Sequence, residues 1–292
     1  SSNASLSSFV SVSAKVYTVV VTPTSEGAVT LNIAQGVAQD SATNTNAAAV
    51  ELSVDYDITN PTVVISGVAG LINGNVTTTF TFSEAVAGFA ISDITVGNGS
   101  AGNFSATSAR VYTVDITPTS DGSVTVDVAG SVATDNANND NSAASQYSVI
   151  YDSTLPQLQL SIENTLVNDE FVVTFQFSEE MTGFTIGDIT LENANKKAFI
   201  IVDSTKYLVT ITPIVDGQVL IDVFSGVAID DAKNGNAQGN QLIVEFDKTR
   251  PTIEISNPES DLKGEYFAAI KMSEAVTGFT LSDLEVINGD VI

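Results

Sequence analysis

Histidine, cysteine and tryptophan are absent from the 292 residues. Without cysteine there is no disulfide framework and no thiolate metal site. Without histidine or cysteine, Ser-His and Cys-His nucleophile systems are excluded. Basic residues are scarce: ten Lys and Arg stand against 35 Asp and Glu, a net charge of −25. That balance argues against nucleic acid, whose phosphates need a basic face, and against anionic membrane surfaces. It favours solubility and the binding of cations. No apolar run is long enough to span a bilayer, so no membrane insertion is expected in this segment, and no signal peptide stands at Ser1. No lysine recurs from one repeat to the next, which argues against the Lys isopeptide cross-link of some bacterial sandwiches.

What the chain does have is repetition, the first feature to test for in an array. The phrase Asp-x-Thr-x-Pro occurs at Asp57–Pro61, Asp152–Pro156 and Asp247–Pro251, at a spacing of 95 residues. Phe82-Ser83-Glu84 returns as Phe177-Ser178-Glu179 and as Met272-Ser273-Glu274. Tyr17–Pro23 returns as Tyr112–Pro118 and Tyr207–Pro213. The loop Asp40-x-Ala42-x-Asn44-x-Asn46 returns from Asp135 to Asn141 and from Asp230 to Asn236. A unit of this length fits a small domain with a single core.

Residues 61–152 hold one full unit. Thr62–Val68 is β-branched after a proline and suits strand A. Asn73-Gly74 is a hairpin turn signal. Val76–Phe82 alternates apolar and polar, as a half-buried strand B does. Gly88–Val96, broken by Asp93, reads as strands C and D at one sheet edge. Ala109–Pro118 is strand E, Asp121-Gly122 a turn, Ser123–Val128 strand F and Ser145–Tyr151 strand G. Seven short antiparallel strands predict an all-β fold of tandem immunoglobulin-like sandwiches. Phe80, Phe82, Phe89, Phe104, Tyr112 and Tyr151 are expected in the core. The domains expected are residues 58–152 and 153–247, each complete, with 1–57 as the back half of a repeat (strands E to G) and 248–292 as the front half (strands A to D).

Topology brings the recurring acids together. Strand B returns towards the incoming linker, and so does strand F. The B–C corner with Glu84 and the F–G loop with Asp135, Asn139 and Asn141 then share one pole with Asp57. The next joint repeats them as Asp152, Glu179, Asp230, Asn234 and Asn236. Unscreened carboxylates ~4 Å apart repel by roughly 4 kcal/mol per pair at a surface-like dielectric, and a hard divalent cation removes that cost. An all-oxygen donor set selects Ca²⁺ over zinc or copper. Each motif also has a plainer reading, as an Asx turn or as a loop of residues tolerant of left-handed backbone. Asp93, Asp188 and Asp283 read as turn formers. Glu26, Asp121 and Asp216, each beside a glycine, lie at the opposite pole, where a turn role suffices.

The ordered set Phe82-Ser-Glu-Ala-Val-x-Gly-Phe89, Asp93-Ile-x-Val96, Tyr112-x-Val-x-Ile-x-Pro118 and Val132-Ala-x-Asp-x-Ala-x-Asn139 resembles the bacterial Ig-like repeat domains of large secreted and cell-surface adhesins. The resemblance covers the whole chain. It implies a non-catalytic stalk or extracellular fibre on the bacterial surface, stiffened in some relatives by interdomain calcium, with neighbouring repeats of the same or an adjacent chain as partners. One departure is visible: the usual glycine before the F–G asparagine is Thr43, Asn138 and Lys233 here. A second expectation is self-assembly, in which the half-units complete each other between molecules and Asp40 joins Asp247 and Glu274. A carbohydrate- or receptor-binding module is the weaker alternative, since the aromatics recur at core-like positions and there is no tryptophan.

Overall fold

The computed structural model describes residues 1–256 and 263–287. They fall into two compact units, residues 1–154 with 231–234, and residues 155–230 with those from 235 onward. Among the described residues the only helical elements are three-residue 3-10 turns.

The first unit begins with β1 (Ala4–Ser13), β2 (Val16–Pro23), β3 (Gly27–Leu31) and β4 (Leu52–Tyr56). It continues with β5 (Val63–Ser66), β6 (Leu71–Ile72), β7 (Val76–Phe82) and β8 (Ile94–Gly97). It closes with β9 (Gly99–Ala106), β10 (Val111–Pro118), β11 (Gly122–Val128) and β12 (Tyr147–Tyr151). From β5 on, two four-stranded sheets form, in the orders β5-β7-β10-β9 and β6-β12-β11-β8. This is the immunoglobulin arrangement of A, B, E and D on one sheet and C, F and G on the other.

Period-two patterning builds the core. In β7, Val76, Thr78, Phe80 and Phe82 point inward and are buried. Val76, Phe80 and Phe82 meet Val114 and Ile116 of β10 and Val124, Val126 and Val128 of β11 in one cluster. Fully burying each such side chain contributes about 1.5–3 kcal/mol. Phe82, Phe89 and Tyr112 meet edge to face, with ring centroids 5.1–5.8 Å apart. Phe104 and Tyr151 are half-buried against this cluster.

Three local expectations need correction. Strand A divides: β5 pairs antiparallel with β7, whereas β6 crosses to the other sheet and pairs parallel with β12. Asn73-Gly74 therefore turns the chain between two sheets and does not close a hairpin. Strands C and D do not share an edge. The stretch around Asp93 is a 3-10 turn (Ile91–Asp93), β8 edges one sheet as C, and β9 edges the other as D. Strand D was hidden because Gly99–Ala106 is too rich in glycine and serine to show apolar alternation. The amino-terminal stretch has the same hidden strand: β1 stands at the D position ahead of E, F and G.

In that stretch β1 forms a ladder with β2 and β3 with β4, a single bridge joins Ser2 to Thr30 of β3, and among the described residues no four-stranded sheet forms. Core positions are open: Tyr17 is 55% exposed, whereas its counterpart Tyr112 is 6% exposed.

The second unit repeats the plan. It comprises β13 (Leu158–Ser161), β14 (Leu166–Val167), β15 (Phe171–Phe177), β16 (Ile189–Glu192) and β17 (Ala194–Ile201). Then follow β18 (Lys206–Pro213), β19 (Gly217–Val223) and β20 (Leu242–Phe246). Their sheets are β13-β15-β18-β17 and β14-β20-β19-β16. The residues after β20 contribute β21 (Ile253–Ser256) and β22 (Ala269–Met272), an antiparallel pair at the positions of A and B. Residues 284–287, at the C position, are not strand. Residues 257–262 and 288–292 of the expected 248–292 domain, including its D stretch, lie outside the described residues. Phe279 is 43% exposed here, and its counterpart Phe184 is 5% exposed.

Candidate metal centre

The joint leading into β5 is built by short-range rules. The N–H of Thr59 donates to Asp57 Oδ1 at 2.9 Å, an Asx turn that fixes the linker. Pro61 is buried, and its carbonyl accepts the N–H of Ser142. Each residue of Phe82-Ser83-Glu84 then has a distinct task. Phe82 fills the core. Ser83 Oγ accepts the N–H of Thr62 at 3.0 Å, and its own N–H donates to the Thr62 carbonyl at 2.9 Å. Glu84 follows at the corner, half-buried.

The F–G loop is stitched to that corner by paired hydrogen bonds between Ala87 and Thr134. Within the loop Asp135 is buried. Its Oδ1 accepts the N–H groups of Ala137 (2.7 Å) and Asn139 (2.9 Å), and its Oδ2 accepts Asn139 Nδ2 (2.9 Å). Asn139 Nδ2 also reaches the Asp57 carbonyl at 3.1 Å. Linker, corner and loop thereby converge. Asp57, Glu84 and Asp135 each present a carboxylate oxygen within 4.8 Å of the others.

The electrostatics divide the three. Burial, and then the charges of Asp57, Asp135 and Glu26, push the Glu84 carboxyl above its ordinary range against a smaller pull from Arg110. Burial pushes Asp135 the same way. There the hydrogen bonds from Asn139, Ala137 and Asn138 prevail and hold its carboxyl below the ordinary range. Asp135 is thus a fixed anion, and Glu84 is the member whose charge is resisted. All-oxygen donors of this kind suit a hard cation such as Ca²⁺.

The model of the bacterial Ig-like domain family matches residues 57–150 and again residues 152–244. The chain belongs to this family. No curated protein matches it. Among solved structures the bacterial Ig-like repeats are similar to the Escherichia coli adhesin FdeC, at 15% identity over 75% of this chain and 74% of that one, TM-score 0.34. They are similar to invasin, a bacterial integrin-binding protein, at 14% identity and TM-score 0.39; 89% of this chain covers 56% of that structure. They are similar also to the N-terminal part of the bacterial S-layer protein SbsC, at 14% identity over 65% and 44% of the two chains, TM-score 0.25.

The remaining expected site residues of these bacterial Ig-like repeats fall into groups. Asn141 is bonded to the loop backbone. Its Oδ1 already accepts the N–H groups of Val132 and Ala133, and its Nδ2 donates to the Ala129 and Ser142 carbonyls. Asn236 is committed in the same way to Ala228, Phe224 and Ala237. Both asparagines hold the loop backbone. Asn139 meets the Asp135 carboxylate and the Asp57 main-chain carbonyl through its nitrogen and holds loop and linker together. Asn234 Nδ2 likewise donates to the Asp152 carbonyl at 2.9 Å.

Asp152 is half-buried and accepts the N–H of Thr154. Glu179 is half-buried at the end of β15, and Asp230 is buried in the loop after β19. Asp40 is exposed, accepting from Ala42 and Asn44 as Asp135 does from Ala137 and Asn139. Asp247 and Glu274 are exposed. Among the described residues these last three belong to no group of three carboxylates.

The loop position that lacks the usual glycine keeps the left-handed backbone regardless. Thr43, Asn138 and Lys233 have φ of 68°, 65° and 75°. Asp93, Asp188 and Asp283 cap their 3-10 turns, each accepting an N–H at 2.7–2.8 Å. What sequence reasoning missed is Glu26, which acts on Glu84 electrostatically and accepts the Thr59 hydroxyl.

Proposed function

We propose that this chain is a non-catalytic structural segment of a bacterial surface adhesin or extracellular fibre, in which calcium binds the joint between repeats through Asp57, Glu84 and Asp135. The observation that carries the reading is the meeting of three carboxylates at the point where the linker joins the next sandwich. Calcium tolerates irregular oxygen geometry and water in its remaining positions. It would neutralise the charge that Glu84 resists. The sequence gives the following repeat the same donor types in Asp152, Glu179 and Asp230. Family membership, tandem repetition and the lack of histidine and cysteine support a spacer, since array length is adjustable when each unit contacts its neighbours.

The test is calcium titration by calorimetry joined to thermal melting. A cation bound by the folded state alone raises the melting temperature with concentration, by about 2.7 kcal/mol of stability at a hundredfold excess over Kd. A melting temperature indifferent to calcium, with no heat of binding, overturns the cation while leaving the architecture intact.

The open core positions favour a second element of the reading. Tyr17 and Phe279 mark apolar faces that complete repeats cover. The proposed cover is strand addition from a neighbouring repeat of the same or an adjacent chain. Sedimentation velocity across a concentration series tests the adjacent-chain case, which predicts concentration-dependent association; a single monomeric species throughout rejects it.

A further inference from the structure

The E–F turn acids, Glu26, Asp121 and Asp216, recur with the same partner. Each precedes a glycine in left-handed backbone, Gly27, Gly122 and Gly217, with φ of 112°, 126° and 124°. That glycine pairs with the last residue of strand G: Gly27 with Tyr56, Gly122 with Tyr151 and Gly217 with Phe246. The register sets the acid beside the exit of strand G, where the Asp-x-Thr-x-Pro linker begins.

The contacts follow from that placement. Thr59 Oγ1 donates to Glu26 Oε2 at 2.5 Å. Thr154 Oγ1 donates to Asp121 Oδ2 at 2.6 Å, while Ser153 donates its N–H and its hydroxyl to Asp121 Oδ1, both at 2.8 Å. Thr249 Oγ1 donates to Asp216 Oδ2, and the N–H of Lys248 to Asp216 Oδ1 at 2.8 Å. From the other side, Asn139 holds the Asp57 carbonyl and Asn234 the Asp152 carbonyl. Each of these two linkers is therefore gripped twice, by the carboxylate of the repeat before it and by the F–G asparagine of the repeat after it.

We infer that Glu26, Asp121 and Asp216 are linker clamps, which fix the Asp-x-Thr-x-Pro segment through its threonine hydroxyl without any cation. This explains why the threonine recurs. Its hydroxyl is the donor that an ionised acid needs, and charge-assisted bonds of this type are about twice as strong as neutral ones. It also explains why an acid stands before the turn glycine, where the turn itself demands only the glycine. The clamp goes beyond the calcium reading and does not depend on it.

The experiment is amide hydrogen exchange on the full chain in excess chelator, so that no cation contributes. The Ser153 N–H is the direct reporter, because its acceptor is Asp121 Oδ1. Asp121→Ala should speed its exchange about tenfold or more, the scale of a lost bond to a charged group. Asp121→Asn keeps one acceptor oxygen but loses the charge, and should speed exchange by an intermediate factor. Thr154→Val leaves the turn untouched and should loosen Ser153 by a smaller factor, with no additional effect in the double variant Asp121→Ala/Thr154→Val. Core amides such as that of Val126 serve as the folding control. Unchanged Ser153 exchange in Asp121→Ala, or equal loss in Asp121→Asn, overturns the clamp. Loss of calcium binding with the clamp intact would overturn only the metal reading.

Discussion

Replacing Glu84 by Gln separates the two roles of the carboxylate cluster, because it removes a charge while keeping size and one oxygen. In metal-free protein the substitution should stabilise. Two unit charges at 4.8 Å, the limit of separation in the cluster, repel by about 3.5 kcal/mol at an effective dielectric of 20 and by about 0.9 kcal/mol in bulk water. Glu84 is only half-buried, so solvent screening brings the gain towards the lower figure, as it does for exposed ion pairs. The attraction of Arg110 is lost as well. A net gain of about 1 kcal/mol corresponds to melting some 4–8 °C higher for a domain of this size. With calcium present the order should reverse, because the variant has lost a charged ligand and gains less from added cation. The assay is differential scanning calorimetry of wild type and Glu84→Gln, in chelator and across a calcium series. If Glu84→Gln melts below wild type in chelator, the cluster is not strained by charge; if it gains as much as wild type across the calcium series, Glu84 is not a calcium ligand.

Lys233→Gly should stabilise its repeat by about 1 kcal/mol, read as a higher melting temperature, because relief of about 1–2 kcal/mol of left-handed strain exceeds the entropy that glycine adds to the unfolded chain. Asn138→Gly, at φ 65°, should change little, since asparagine tolerates that region. Ser83→Ala should cost about 1 kcal/mol in chemical denaturation, because the Thr62 N–H loses its acceptor. In chelator, stability should respond to pH with two opposite signs. Glu84 is raised above its ordinary 4.5, so its contribution is complete below that value and lost as pH rises through the folded-state pKa. Asp121 and Asp216 are lowered from 3.8, chiefly by the Thr154 and Thr249 hydroxyls, so theirs is present above 3.8 and lost as pH falls through the folded-state pKa. Melting curves of Glu84→Gln and Asp121→Ala against pH check each sign, and the reasoning fails if each variant leaves its own limb unchanged.

The sandwich was legible because its information is local. Val76–Phe82 and Val111–Pro118 alternate with period two, and their inward residues are those found buried. Strand D was not legible, since β9 is held by its ladder to β10 more than by its own side chains. The divided strand A was hidden for a related reason: β6 is two residues long, and its parallel pairing with β12 joins positions 79 residues apart.

The site shows the same division. Asp57, Glu84 and Asp135 could be brought together from strand direction alone, because recurrence named the residues and topology named the pole. The asparagines could not be sorted that way. Asn139 and Asn141 are alike in the sequence, yet one donates to the Asp135 carboxylate and the linker carbonyl and the other to the loop backbone, a distinction set by two residues of chain direction. The role of the E–F acids is hidden for a third reason. Within a single sandwich the pole opposite the incoming linker looks empty of partners. In a tandem array that pole is where the next linker begins. The constant interval of 33 residues from Glu26 to Thr59, Asp121 to Thr154 and Asp216 to Thr249 carries that information. It becomes readable once the repeat is taken to run from one linker through the next, which makes the joint, and not the sandwich, the unit whose side chains have to be explained together.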